Sequence, residues 1–446
     1  MNRPLKIALI SPKGQLYRHK GGIFKKDLRA APLTLTTLAA LIPEGINSEV
    51  QIIDEGIEEI PDRIDADIIG MTVITGSSKR AYELSEKFRK EKKTVVLGGP
   101  HTTLLPEDAR GKADTIVRGY AEKTWPQLLY DYTNGNLQKE YTMDSDFTLS
   151  DTKYLPFPRR DLLKKGGYKT IHTFEATRAC IHNCEFCVVP TAWGRKPFFK
   201  PIEHVVEDIK RLGSKRALFY DLNIIANKEY AKELFRALIP LKIYWVGLST
   251  TLIGKDEELI KLMHKSGCKG LLIGFESISE SVLSQSNKTF NRPSGYRELI
   301  KKLHSLDIII NGTFVFGNDG DTTKSFSEIR DFILETKIGL PRFSIVTPFP
   351  GTPLFDRLKQ EGRILHEDWD KYDGQHVVFQ PKNMSVEELK VGHERIWKEV
   401  YSYVGIWKRI THNMNFLFPI LAGSNLAYRF YAKNLSRFYN CQGGMV

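Results

Sequence analysis

Three cysteines crowd into the stretch RACIHNCEFC: Cys180, Cys184 and Cys187, spaced by four and three residues. Thiolates are soft ligands that select zinc or iron–sulfur clusters. A structural zinc ion wants four ligands closed around it. Only three are offered, and the nearest extra donor, His182, lies inside the loop. A cube of four irons held by three cysteines keeps one iron open to a further ligand, so the triplet describes a reactive cluster better than a closed zinc site. The other two cysteines, Cys268 and Cys441, stand alone. Five cysteines, odd in number and clustered, read as metal chemistry in a reducing compartment, not as a disulfide framework. Cys268 begins a strand and reads as a small buried hydrophobe.

The loop needs a scaffold, and the flanking pattern supplies one. TIHTFEAT, a strand pattern, ends just before it. RALFYD, IYWVGL, GLLIGFE, IIINGTFVFG and FSIVTPF follow at intervals, separated by helical stretches such as IEHVVEDIKRLG and KSFSEIRDFILET. Six strand–helix units over 165–360 predict a partial (β/α)6 barrel of the TIM type, open on one side, with its chemistry at the carboxyl ends of the strands. Residues 1–140 alternate in the same way: KIALISP, VQIID, IIGMTV, TVVLGGP and TIVRG read as strands, with helices around 34–43, 78–92 and 123–133. That is a doubly wound, Rossmann-like sheet, which binds ligands outside the carboxyl ends of its strands. TNGNLQKEYTMDSDFTLSD reads as a linker. Residues 361–446 form a mainly helical C-terminal extension.

The chain has 446 residues, 41% of them hydrophobic and 26% charged, as in an ordinary globular protein. Its net charge of +12 is spread along the chain without a Lys/Arg-rich block, so no nucleic-acid partner is expected. MNRPLKIALISP lacks the features of a signal peptide, and a cytoplasmic location is expected, with peripheral membrane contact as an addition. After Glu399 there is no acidic residue, and 410–428 carry no Lys, Arg, Asp or Glu, while Lys408, Arg409, Arg429, Lys433 and Arg437 flank them. Asn413, Asn415, Pro419, Gly423 and Asn425 make that segment a poor bilayer span, but one able to lie at a membrane surface through 408–439. A helix pair packed over the barrel's open side fits as well. Trp369 and Trp397 read as core.

CxxxCxxC with the aromatic Phe186 before its last cysteine resembles the radical S-adenosylmethionine (SAM) superfamily. The resemblance implies a [4Fe-4S] cluster on Cys180, Cys184 and Cys187 that cleaves SAM to a 5′-deoxyadenosyl radical. It assigns SAM contacts to Phe186 and to Tyr220, Asp221 and Asn223 in FYDLN, where Leu222 replaces one of two adjacent acids found in many relatives. Glu276 in GFES would reach the ribose or methionine, or cap the next helix. Gly317 belongs to GNDGDT, whose Asp319 and Asp321 approach the adenosine or make a tight turn. TPFPGTPLF, at 347–355, is similar to runs in the cobalamin-binding branch.

PLTLTTLAALIPEG, IIGMTVITGSS and VVLGGPHTTLLPED resemble the cobalamin-binding domain that precedes many such barrels. Thr72, Thr75, Ser77, Gly98, Gly99, Pro100 and His101 would then line the cofactor, the two glycines letting backbone approach its nucleotide tail. The DxHxxG signature that supplies a lower axial histidine is missing, so cobalt would be base-off and His101 a loop residue beside it. The usual GEGE turn reads GYAEKTW, with Tyr120 and Ala121 substituted. The pairing is similar to hopanoid methylases and to the anaerobic oxidative cyclase of chlorophyll synthesis. It implies methyl transfer from methylcobalamin to an unactivated carbon of a small molecule, lipid or polyprenoid included, with a flavodoxin or ferredoxin as reductant. A non-methylating cyclase or rearrangement is the alternative within the family, and a cobalamin- or SAM-binding sensor the alternative of another class.

Overall fold

The computed structural model describes residues 3–14, 29–143, 155–411 and 415–435. Cys441, Arg437 and Asn413 lie outside the described residues. Strands β1 (Leu5–Ser11), β2 (Ser48–Asp54), β3 (Ile68–Thr72), β4 (Thr94–Gly98), β5 (Thr115–Arg118) and β6 (Glu140–Thr142) form one parallel sheet in the order β2-β1-β3-β4-β5-β6. Strand β1 shows why it sits at the centre. Leu5, Ile7 and Leu9 pack with Leu35, Val96 and Trp125 on one face, while Ala8 and Ile10 pack with Met71, Phe88 and Leu97 on the other. A parallel sheet covered on both faces needs apolar residues in both phases. The order reverses between β1 and β3, so the loops after those strands open on the crevice where such sheets bind ligands. The expected linker contributes β6 instead. Three residues are too short for a periodic signal, and only pairing with β5 makes them a strand.

The second sheet takes β7 (Thr173–Phe174), β10 (Arg216–Phe219), β11 (Tyr244–Ser249), β12 (Cys268–Glu276), β13 (Ile309–Phe316) and β14 (Arg342–Ile345). All six are parallel and sit in chain order, and β7 and β14 form the two edges. This is the partial barrel. Between its first two strands, β8 (Thr177–Arg178) and β9 (Phe198–Phe199) pair antiparallel and frame the cysteine loop. In β12, Leu271, Ile273 and Phe275 enter the apolar core; the alternate positions Leu272, Gly274 and Glu276 face the other way. Cys268 is fully buried there.

The extension packs helix Val386–Val400 on helix Thr323–Thr336 and on β14, followed by helices Tyr403–Ile410 and Phe418–Lys433. Ser385 and Glu388 close a capping box at its start. Trp397 is fully buried edge-on against Phe343, while Trp369 is half-buried at the seam with the first domain and Trp407 is exposed. Arg409 is also fully buried. Its guanidinium donates to the carbonyls of Ile338, Gly339 and Val400 and to Asn425 Oδ1 at 2.7–3.2 Å, which ties the three helical segments to the end of the barrel. Among the described residues no helix is long and apolar enough to cross a membrane.

Candidate active site

The cysteine loop leaves β8 through Ala179, which adopts φ +58°. That left-handed turn is unfavourable for an alanine and is held by the flanking β8–β9 pair. Cys180, Cys184 and Cys187 are free thiols. Cys187 N–H donates to Cys184 O at 3.1 Å, and Cys187 is the N-cap of helix Val188–Trp193. The rest of the loop is pinned from outside: Glu185 N–H donates to Ser286 O, Asn287 Nδ2 to Asn183 O, and Leu354 N–H to Glu185 O. Burial pushes the Cys184 thiol up to about 12 and Cys187 up to about 11, opposed at both by the Lys288 ammonium. His182 stacks on Phe290 with ring centroids 3.6 Å apart. Among the described residues no three His, Cys, Asp or Glu side chains converge on one point as ligands of a single ion would.

The strand ends around this loop carry the other expected residues. Glu276, at the end of β12, holds φ +62°, a strained conformation for a side chain of this size. Its carboxylate accepts from Lys288 Nζ at 2.5 Å and from Thr313 Oγ1 at 3.3 Å. Lys288 is almost fully buried and lies over the rings of Phe186 and Phe290. Sequence reasoning missed it, because nothing in SNKTF marks a lysine that folds back onto a carboxylate 12 residues earlier. Asn223 is buried, with Nδ2 4.0 Å from Cys180 Sγ. Tyr220 is half-buried just after β10.

Asp221 is fully buried, and its carboxylate accepts Ala176 N–H and Thr177 N–H at 2.5–3.2 Å. It therefore staples β10 to the chain entering the cysteine loop. Burial pushes its acid up to about 7. GNDGDT resolves as a turn. Asp321 accepts Gly317 N–H, Asn318 N–H and Asn318 Nδ2, and Asp319 is gripped by Arg357 and Arg363. Gly317 has φ +100°, and it shares a small cavity with Phe186 and Val346.

In the first domain Gly99 has φ +104°, and a Cβ there would lie 2.8 Å from Val73 N and 2.9 Å from its O. Gly98 is different: a Cβ would meet only Val117, at 3.6 Å. Ser77 closes the turn after β3 by accepting Ile74 N–H. Thr75 Oγ1 lies 3.3 Å from His101 Nδ1, and Asp108 Oδ2 lies 3.0 Å from His101 Nε2. Fully buried, with both ring nitrogens engaged, His101 is a structural residue of the loop. Thr72 ends β3 beside Gly99, and Pro100 opens the short helix Pro100–Leu104.

Sequence-family profiles match this chain as Radical SAM superfamily at 174–333, B12 binding domain at 27–129 and a domain of unknown function at 352–435. A bacteriochlorophyllide d C-12(1)-methyltransferase of Chlorobaculum tepidum is 32% identical over 419 residues, 91% of this chain and 89% of that protein. The chain belongs to the cobalamin-dependent radical SAM methyltransferase family. A more distant relative, an anaerobic magnesium-protoporphyrin IX monomethyl ester cyclase of Cereibacter sphaeroides, is 25% identical over 75% of this chain and 60% of that protein. Among solved structures, the cobalamin-dependent SAM radical enzyme OxsB with aqua-cobalamin and SAM bound shares the fold at TM-score 0.70 and 15% identity, covering 97% of this chain and 72% of that one.

The cofactors of this radical SAM family are a [4Fe-4S] cluster, SAM and cobalamin, and the residues present fit them. Three free soft donors on one loop suit a cluster whose irons are separate corners. Gly99, with φ +104° and no room for a Cβ beside the Val73 backbone, makes the tight turn at the carboxyl end of β4, where such a sheet takes its ligand. The substituted turn at 119–125, meanwhile, serves the seam between domains. Tyr120 stacks on Trp193, with centroids 6.5 Å apart, and Arg178 lies over Tyr120 and Phe198. Arg178 pairs with Glu122 and, at 2.7 Å, with Glu175, which also takes Lys200 at 3.0 Å. Helix Pro100–Leu104 packs on helix Val188–Trp193, so the cobalamin-side loop abuts the helix that Cys187 begins. Arg178→Met leaves Glu122 and Glu175 buried without that cation and is expected to cost about 3–5 kcal/mol. Thermal unfolding followed by circular dichroism checks this, and Arg178→Met/Glu122→Gln should recover part of the loss.

Proposed function

We propose that this protein methylates an unactivated carbon of a large, mostly apolar small molecule, drawing on both cofactor faces within one cavity. The observation that carries the reading is the direct packing of helix Pro100–Leu104 against helix Val188–Trp193, whose N-cap is Cys187. With cluster, SAM and cobalamin bound, the chemistry supplied is hydrogen-atom abstraction from carbon and delivery of a methyl group. The chain's own part is to hold, orient and shield. Cys180, Cys184 and Cys187 hold the cluster. The Lys288 ammonium, buried beside Cys184 and Cys187, offsets their negative charge and stays cationic through Glu276. Phe186, Tyr220, Asn223, Glu276 and Gly317 border the place for SAM. Thr72, Thr75, Ser77, Gly98, Gly99 and Pro100 form the cradle for cobalamin, with no imidazole offered by His101.

The bacteriochlorophyllide relative, matched along nearly its whole length, favours a tetrapyrrole-class substrate over a polyprenoid. A flavodoxin- or ferredoxin-type reductant and membrane contact through 408–439 complete the proposal. The cyclase relative keeps a non-methylating outcome in view. Anaerobic turnover with reconstituted protein and candidate tetrapyrroles separates the two: methylation should yield S-adenosylhomocysteine and 5′-deoxyadenosine in equal amounts. 5′-Deoxyadenosine formed with substrate but without S-adenosylhomocysteine would overturn the methyl-transfer reading.

A further inference from the structure

Helix Phe418–Lys433 buries Leu421, Asn425 and Tyr431 against the rest of the protein. A helix lying on a soluble domain normally turns a charged face outward. Here the outward positions are Ile420, Gly423, Leu426 and Phe430, three or four residues apart and therefore one continuous stripe, with the exposed Phe416 in the turn before the helix. Ile420 is 59% and Leu426 53% exposed, and the space beside Gly423 is open. The neighbouring helix Tyr403–Ile410 adds Tyr403, Val404 and Trp407, the last 68% exposed. At the other end Phe416 lies 6.0 Å from Tyr244, with the Lys269 ammonium over both rings, which extends the patch onto the lower rim of the barrel. Single exposed apolar residues are ordinary, but a contiguous patch of this extent marks an interaction surface.

The border of the patch says what covers it. Lys408, Arg429, Lys433 and Lys269 surround it, and Arg429 lies over the Tyr403 ring. No acid follows Glu399, and Glu399 and Glu394 are themselves paired with Arg330 and Lys398. An apolar stripe bordered by Lys408, Arg429, Lys433 and Lys269 complements an anionic phospholipid surface. A second copy docked by the same patch would bring two cationic borders together. We propose that this face seats on an anionic membrane, with helix Phe418–Lys433 in the interfacial plane and Trp407 at headgroup level. At 16 residues with Pro419 in its first turn, this helix lies on the bilayer and does not cross it. The C-terminal turn of the helix reaches the barrel mouth, where Tyr431 Oη donates to Gln375 beside the end of β14.

This deepens the membrane part of the proposed function, and a vesicle assay reads it apart from the chemistry. Flotation of the full-length reconstituted protein with phosphatidylglycerol/phosphatidylcholine vesicles should give at least tenfold more binding than with phosphatidylcholine alone. Binding should fall as NaCl rises from about 0.1 to 0.5 M. Trp407 emission should shift to the blue, and Trp407→Phe should bind without that shift. Ile420→Asp/Leu426→Asp and, separately, Lys408→Glu/Lys433→Glu should each bind at least tenfold less while keeping wild-type circular dichroism and iron content. Equal or absent binding to the two vesicle types overturns the proposal. So does a light-scattering dimer that Ile420→Asp/Leu426→Asp converts to monomer, which would make the patch a contact between copies. Loss of methyl transfer with vesicle binding intact would count against the catalytic reading alone.

Discussion

Alanine at Cys180, Cys184 and Cys187 together is expected to reduce SAM cleavage more than about 10³-fold, upwards of ~4 kcal/mol of transition-state stabilisation, and to remove the [4Fe-4S] absorbance and EPR signal. The size of the effect follows from the site. The three thiols are the soft donors of the loop, and the neighbouring His182 offers only a harder imidazole, its ring stacked on Phe290. Cys268→Ala is the control. That thiol is fully buried at the start of β12, within the apolar core, and its loss should cost about 1 kcal/mol of stability with iron content and SAM cleavage unchanged. Iron analysis and 5′-deoxyadenosine quantification after anaerobic reconstitution check both. If the triple variant keeps its cluster, the ligand assignment fails.

Gly99→Val is expected to destabilise the first domain by about 2–4 kcal/mol. It forces a β-branched residue into φ +104° and a Cβ into the Val73 backbone. Val73 cannot yield cheaply, since its N–H donates to Gly98 O and its carbonyl accepts His101 N–H. Cobalamin retained after desalting should fall at least tenfold, while the cluster on the barrel persists. Gly98→Ala is the control for the turn that Gly99 forms. Its Cβ meets Val117 at an ordinary 3.6 Å, so the domain should melt like the wild type and keep its cobalamin. Cobalamin retention equal to wild type in Gly99→Val would place the cofactor elsewhere. A visible spectrum of the retained cofactor should be of the base-off form, with His101 held by Thr75 and Asp108.

Much of this fold is readable from local pattern because its signals are local. Five strands of the first domain and five of the barrel lie where their β-branched runs put them, while TIHTFEAT breaks into Thr173–Phe174 in the barrel and Thr177–Arg178 in the pair that frames the cysteine loop. The cysteine loop is legible for a similar reason: ligand type and spacing are both contained in eight residues. Strand β6 and the short helices at Pro100–Leu104 and Pro106–Ala109 were not legible, being three to five residues long and dependent on their neighbours.

The chain alone determined the two α/β units, the three-thiol loop at the end of a strand and the uncharged C-terminal segment, all properties of contiguous residues. Only the tertiary structure decided how side chains far apart in sequence are used. It made Asp221 a backbone staple on Ala176 and Thr177. It brought Lys288 onto Glu276 beside the cysteines, and it made the substituted turn at Tyr120–Glu122 the latch for Arg178. It also set one face of helix Phe418–Lys433 against the protein and left the other bare. The physical reason is common to all four. A carboxylate, a lysine or an apolar face has the same local signature whatever it meets, and burial together with the partner it finds across the fold sets what it does.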